Sequence, residues 1–181
     1  MPLQRMLILS GAIASGKTAV AQVLSTEFGF CRLSTRSYLI EFEGGADILK
    51  GRTSLQDLGD RLDHETDFRW VVDCVADPAV DANPQIAGWM LDAARKPQQV
   101  QHFRERFGNA VRHVHLRARE DILHARYSLR AESCETSYRN VQDHPNEIAA
   151  RGLELLADAV FDTSRLNSKA IGFSVSSLWE S

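Results

Sequence analysis

Short runs of strand length alternate along this chain with longer stretches in which apolar residues recur every three or four positions. The strand-like runs fall at residues 6–9, 30–33, 86–91, 111–116 and 159–161. Two of them, Met6-Leu7-Ile8-Leu9 and Ile86-Ala87-Gly88-Trp89-Met90-Leu91, are apolar without interruption, the mark of strands covered by helices on both faces. Helical spacing fills the intervals: 17–28, then most of 34–77, where Leu55, Leu58 and Leu62 are followed by Phe68, Val71, Val72 and Val75. It returns at 97–107, with Pro97 in the first turn and Val100, Phe103 and Phe107 facing inward. A further helix runs from Glu120 into an arginine-rich polar stretch ending near Pro145, and another covers about 146–156. Gly44-Gly45, Gly51, Asp81-Ala82-Asn83-Pro84 and Gly108-Asn109 punctuate the pattern. The tail at 167–181 has helical spacing that Gly172 and its serine and valine residues weaken. Alternating strands and helices predict a three-layer α/β/α fold around a mostly parallel sheet of five strands.

At 181 residues the chain is expected to form one domain, large enough to bury a core without disulfide or metal staples. No apolar run approaches the ~18 residues of a membrane span, and no basic segment followed by an apolar one marks a secretory leader. Cys31, Cys74 and Cys134 are odd in number and far apart, which argues against a disulfide framework or structural zinc and for a reducing, cytoplasmic setting. A net charge of −3 offers nucleic acid no general attraction, so a polymeric partner is not favoured over a small molecule. Of the 21 basic residues 17 are arginine, whose planar forks suit phosphate, but composition alone assigns none of them a role.

The chemistry is concentrated in Gly11-Ala12-Ile13-Ala14-Ser15-Gly16-Lys17-Thr18, directly behind the first strand-like run and ahead of a helical stretch. Glycine at 11 and at 16 lets the backbone turn with positive φ and approach an anion that a Cβ would hold away. The helix opening at Lys17 exposes N–H groups that favour negative charge. Lys17 reaches the β- and γ-phosphates, and the Thr18 hydroxyl is a ligand for Mg²⁺. Residues 11 to 19, with Ala19 closing the first exposed turn, therefore read as a binding loop for ATP and Mg²⁺. Such a site needs a second magnesium contact, usually an acid at the carboxyl end of a neighbouring strand. Trp89-Met90-Leu91-Asp92 supplies it in Asp92. Trp70-Val71-Val72-Asp73 also ends in an acid, but its apolar spacing fits a helix face, which leaves Asp73 as the fallback.

With these pieces in this order, nearly the whole chain resembles the P-loop kinase superfamily of nucleoside monophosphate kinases, above all its deoxynucleoside monophosphate kinase and dephospho-coenzyme A kinase-like branches. The resemblance implies a helical acceptor-side insert at about 34–77 and a lid at about 126–145. It implies an acceptor-binding arginine near the end of the second strand, here Arg36 in Ser34-Thr35-Arg36. A second follows the third strand, here Arg95 in Asp92-Ala93-Ala94-Arg95, similar to the D-G-x-R segments of the family with Ala93 in place of the glycine. Lid arginines four apart match Arg126 and Arg130, which on one helix face would converge on the moving phosphoryl group. The same likeness points to Arg151 facing the site and to Asp162-Thr163-Ser164 beside the donor base. Cys134, Tyr138, His144 and Pro145 do not reproduce the aspartate-rich lid of adenylate kinases.

Phosphoryl transfer asks the protein to align two substrates, exclude water and neutralise charge. The expected activity is ATP-dependent phosphorylation of a nucleoside or deoxynucleoside monophosphate, with Lys17, Asp92, Arg126 and Arg130 in catalysis and Arg36 and Arg95 on the acceptor. Two alternatives stand beside it: a kinase for a hydroxyl on another metabolite or on a modified base in nucleic acid, and a nucleotide-hydrolysing switch. His113 and His115 alternate on a strand and lack a third metal ligand, so a hydrogen-bonded structural role is expected of them. Trp70 and Trp89 read as core aromatics, and His64 as a bystander on a polar helix face.

Overall fold

The computed structural model describes residues 5–43, 52–130 and 137–180. Among them, strands β1 (Arg5–Gly11), β2 (Cys31–Arg32), β3 (Gly88–Leu91), β4 (Val111–Arg117) and β5 (Ala159–Asp162) form one sheet in the order β2-β3-β1-β4-β5. Every pairing is parallel, with Leu7 of β1 opposite Met90 of β3 and Arg112 of β4. The chain leaves β1 for β2 on one side and later crosses from β3 to β4 on the other. That change of direction opens a crevice beyond the carboxyl end of β1, where open α/β sheets place their ligands.

The helices are α1 (Lys17–Phe28), α2 (Thr35–Phe42), α3 (Arg52–Glu65), α4 (Asp77–Ala82), α5 (Pro97–Phe107), α6 (Glu120–Arg130), α7 (Tyr138–Gln142), α8 (Pro145–Gly152) and α9 (Ser168–Ser176). Alternation along β1 builds the three layers. Met6 and Ile8 join Trp89, Leu91 and Phe103 in a core shared with α2, α3 and α5, while Leu7 and Leu9 join Met90, Val114 and Leu116 against α1 and α9. All four β1 side chains are fully buried, which is why the sequence there is apolar without a break. None of the described helices is long and apolar enough to cross a membrane.

Helices α1 and α5 occupy the spans that periodicity assigns, and the other boundaries depart in ways that have local causes. The second strand is shorter than 30–33, pairing only at Cys31 and Arg32 on the sheet edge. The helix expected over 146–156 is α8 to Gly152, after which Leu153–Leu156 tightens into a 3₁₀ turn. The helix from Glu120 is described as far as Arg130, and α7 starts anew behind Ser137, whose backbone is extended and whose hydroxyl caps it. The tail resolves as helix α9 in spite of Gly172. A Cβ at Gly172 would stand 2.9 Å from Val23 Cγ1 and 3.2 Å from Phe28 Cε2, so glycine is the residue that lets α9 lie close on α1. Gly44, Gly45 and Gly51 of the insert, and residues 131–136 of the lid with Cys134, lie outside the described residues.

Val71–Ala76, the segment that ends the insert, is a π-helical stretch rather than a regular helix, with Val71, Val72 and Val75 buried and Asp73 exposed. It follows a turn in which Asp67 and Phe68 both take positive φ, 49° and 65°. This sharp reversal at the end of α3 brings Trp70 back over Asp63, and the indole Nε1 donates to Asp63 Oδ1 at 2.7 Å.

Candidate active site

The loop between β1 and α1 has the backbone its glycines imply. Gly11 sits at φ 139°, and a Cβ there would run into the Leu116 carbonyl of β4 and come within 2.8 Å of Ser15 Oγ. Gly16, at φ 95°, precedes α1 and contributes no side-chain cap, which leaves the helix start open to an anion. Ala14 also takes positive φ, 62°, so one non-glycine residue carries strain within the loop. Thr18 and Ala19 are exposed at the mouth. Lys17 folds back across the loop, its Nζ donating to the carbonyls of Gly11 (2.5 Å) and Ala12 (2.8 Å). Burial pushes its pKa down to about 8. The Glu147 and Asp92 carboxylates oppose that shift, and the Arg95 and Arg130 guanidiniums add to it. One ammonium thus feels a residue from each of the β3–α5 turn, α6 and α8.

Glu147 of α8 makes the least expected contact. Its Oε1 accepts from the Ile13 amide of the loop at 2.7 Å, and the side chain is only 12% exposed. A carboxylate is thereby seated on a backbone donor of the phosphate loop. Arg151 lies one turn further along α8, 3.5 Å from Glu147, and also donates to Glu120 Oε2 (2.9 Å) and the Tyr138 hydroxyl (3.1 Å). The Tyr138 hydroxyl in turn donates to Glu120 Oε1 at 2.7 Å, and burial together with that carboxylate pushes its pKa up to about 12. Helices α6, α7 and α8 are tied together by this network and packed on Ala12 and Ala14 through Leu123, Tyr127 and Tyr138.

On the other flank, Thr163 just past β5 donates its hydroxyl to the Ser15 carbonyl at 2.9 Å. Arg126 closes this contact from α6, giving one N–H to Thr163 Oγ1 (2.9 Å) and another to the Thr163 carbonyl (2.8 Å). The two lid arginines therefore differ in environment: Arg126 braces the turn beside the loop, while Arg130 is exposed at the end of α6 and acts on Lys17 electrostatically. Asp92 ends β3 as expected of it and is ion-paired with Arg32 of β2. Asp73 pairs with Arg69 at 3.6 Å on the exposed side of the π-helical stretch and is absent from the charges that act on Lys17.

Next to the loop lies a cleft of about 210 Å³ walled by α2, α3, the β3–α5 turn and α8. Arg36 and Arg95 both line it, joined by Lys96, Asp60, Asp63 and Asn146. Asn146 is the immediate neighbour of Glu147, which meets the loop, and Arg95 of the cleft acts electrostatically on Lys17. The turn that carries Arg95 and Lys96 is set by Gln99, a buried side chain of α5 whose Oε1 accepts from both backbone amides at 3.0 and 3.2 Å. Burial pushes the Asp63 pKa up, an effect that Asp60 reinforces and that Trp70, Lys96 and Arg95 oppose.

Sequence reasoning passed over Glu147, Gln99, Asp60 and Asp63 as functional positions. Gln99 stands three residues after Lys96 at a helix start, a spacing that capping rules make visible. Nothing local marks Glu147, which is 134 residues from the amide it meets. His113 and His115 form a buried pair on β4, both bonded to Ser10 of β1: Ser10 Oγ lies 2.7 Å from His113 Nε2 and 2.9 Å from His115 Nδ1. Burial lowers both pKa values, that of His115 to about 4. Among the described residues no cluster of three or more His, Cys, Asp or Glu side chains is arranged to hold a metal.

No protein-family model matches the chain, and no curated protein matches it in sequence. Its fold has clear counterparts among solved structures. A "putative kinase" from Chloroflexus aurantiacus superposes with a TM-score of 0.60 at 17% identity, over 97% of this chain and 95% of that one. The YorR protein of Bacillus subtilis, solved in complex with phosphorylated GDP, gives 0.55 at 16% identity over 97% and 95%. Shikimate kinase from Acinetobacter baumannii, solved with shikimate, gives 0.54 at 12% identity over 97% and 92%. The chain has the fold of the P-loop nucleotide and small-molecule kinases.

Proposed function

We propose that this protein transfers the γ-phosphoryl group of ATP to a small anionic acceptor, with a nucleoside or deoxynucleoside monophosphate as the acceptor of choice. The single observation that carries the reading is the proximity of two sites. A phosphate loop with an open helix start has within electrostatic reach of its Lys17 a cleft lined by Arg36 and Arg95, two planar forks suited to a phosphate already on the acceptor. The solved counterparts that hold a phosphorylated nucleotide or shikimate are consistent with it.

In this reading the amides of residues 11–19 and the Lys17 ammonium grip the β- and γ-phosphates. The depressed Lys17 pKa makes the ammonium responsive, since an arriving polyphosphate restores full protonation and displaces its two carbonyl partners. Thr18 and Asp92 offer the hard oxygen donors that Mg²⁺ takes, and such an ion draws its other ligands from phosphate and water. The metal would neutralise charge on the polyphosphate. Arg130, whose charge acts on Lys17, would do the same at the transferred group, and Arg126 holds the donor side of the crevice through Thr163.

A hydroxyl-bearing acceptor is the second reading, favoured by Glu147. Its carboxylate stands where loop and cleft meet, a position from which a base can take a hydroxyl proton. A screen with γ-labelled ATP over nucleoside monophosphates and hydroxy acids separates the two. Label is expected on a monophosphate, and Lys17→Ala is expected to cut the rate about 10³-fold, the scale of losing one preorganised charge stabiliser. Release of inorganic phosphate alone with every acceptor would remove the kinase reading.

A further inference from the structure

The acceptor cleft carries more than a phosphate needs. Arg36, Arg95 and Lys96 give it positive charge, yet Asp60 and Asp63 share the same walls, and carboxylates repel a phosphate. They sit three residues apart on α3, on one helix face. Asp63 is half-buried and held: Trp70 Nε1 donates to its Oδ1, and among the described residues Oδ2 is left without a donor. An ionised carboxylate only accepts hydrogen bonds, so the part of the ligand that meets these two residues must present N–H or O–H groups. The adjoining wall is apolar, formed by Leu39, Leu55 and Trp70, and the Trp70 ring stacks with Tyr38 at 5.6 Å. Apolar surface beside paired acceptors is a surrounding that suits a nucleobase.

We propose that Asp60 and Asp63 read the acceptor base and select nucleobases with an exocyclic amino group, adenine, cytosine or guanine, over uracil and thymine. The inference rests on the monophosphate reading above and adds the base class to it. An exocyclic amino group gives two N–H donors to paired carboxylates, whereas uracil and thymine offer the single N3–H, flanked by carbonyl oxygens whose lone pairs face the remaining negative charge. A site built to accept hydrogen bonds discriminates against a ligand that gives fewer of them. Arg36 and Arg95 hold the phosphate and are indifferent to the base, so this selectivity belongs to α3 alone.

The test is kcat/KM, with ATP as donor, for AMP, CMP, GMP, UMP and their deoxy counterparts including dTMP. The wild type is expected to favour its best amino-bearing monophosphate over UMP and dTMP by about 10-fold or more. Asp63→Asn keeps an oxygen for Trp70 and adds an N–H for a base carbonyl, so the preference is expected to fall about 10-fold, while Asp60→Asn shifts it the same way by less. Thermal melts accompany both variants, and Asp60→Asn on the exposed turn carries the test where Asp63→Asn melts early. Equal use of UMP or dTMP by the wild type, or an unchanged ratio in both variants, overturns the inference. Transfer to hydroxy acids with no monophosphate accepted shows up in the wild type itself and removes the monophosphate reading along with it.

Discussion

The donor loop and the acceptor cleft lie side by side and are built in opposite ways. Eight consecutive residues, Gly11 to Thr18, make the loop, and its working groups are backbone amides and one lysine. The cleft is assembled from α2, α3, the β3–α5 turn and α8, positions spread from Arg36 to Asn146. A backbone site tolerates side-chain change except where a Cβ has no room. A side-chain site is the reverse: its exposed polar residues, such as Arg36, Asp60 and Arg95, can be exchanged at little cost to the fold, and each exchange alters what is bound. On the proposed function, the donor half is fixed in chemistry, while the acceptor half carries the identity of the substrate.

Gly11→Ala is the strongest way to break the donor half. The new Cβ meets the Leu116 carbonyl at a φ that L-residues rarely adopt, and the variant is expected to lose about 3 kcal/mol of stability together with nucleotide binding. Urea unfolding and ATP titration check it, and a wild-type midpoint would show that the loop yields more easily than its packing implies. Arg95→Gln should leave the donor half intact: acceptor KM rises about 10- to 100-fold, the value of a charge-assisted hydrogen bond, with KM for ATP within twofold. If both KM values rise together, the two halves are not separable.

The strand end beneath the loop is sensitive to acid. In the folded protein the His115 pKa lies near 4, below the ordinary 6.5, and that of His113 is lowered too, so the unfolded chain takes up protons first. Their contribution is whole above pH 6.5 and is lost as pH falls from there toward 4. His115 alone accounts for about 2 kcal/mol between pH 7.5 and 5. Denaturant melts at the two pH values measure this, and a flat profile would mean that the buried histidines protonate without cost. The smallest expected effect is at the joint of the two halves. Glu147→Gln removes a negative charge from the Ile13 amide, and ATP affinity by calorimetry should rise about 3- to 10-fold. A fall in affinity would recast Glu147 as a support of the loop rather than a competitor for its anion.

Much of the fold was open to a reader of the chain because its signals are local. Helices α1 and α5 follow from apolar spacing bounded by Gly16 and Gly29 in one case and by Pro97 and Gly108 in the other. Uninterrupted apolar runs at β1 and β3 announced strands covered on both faces. Helix α9 was left open because propensity counts Gly172 as a cost, whereas packing on Val23 and Phe28 requires it. The π-helical stretch escaped because its apolar spacing imitates an ordinary helix, and the reversal at Asp67 and Phe68 carries no glycine to mark it.

The same division runs through the site. Sequence by itself determined the phosphate loop, since two glycines, a lysine and a threonine at fixed spacing dictate a backbone path whatever surrounds it. It also pointed to Arg36 and Arg95, which the structure places in one cleft. Only the tertiary structure decided that Glu147 lies on the Ile13 amide, that Arg126 braces Thr163, and that Asp60 and Asp63 line one cleft with Arg36 and Arg95. Those relations join residues tens to more than a hundred positions apart, and such contacts are set by how the layers pack, which no local pattern of residues encodes.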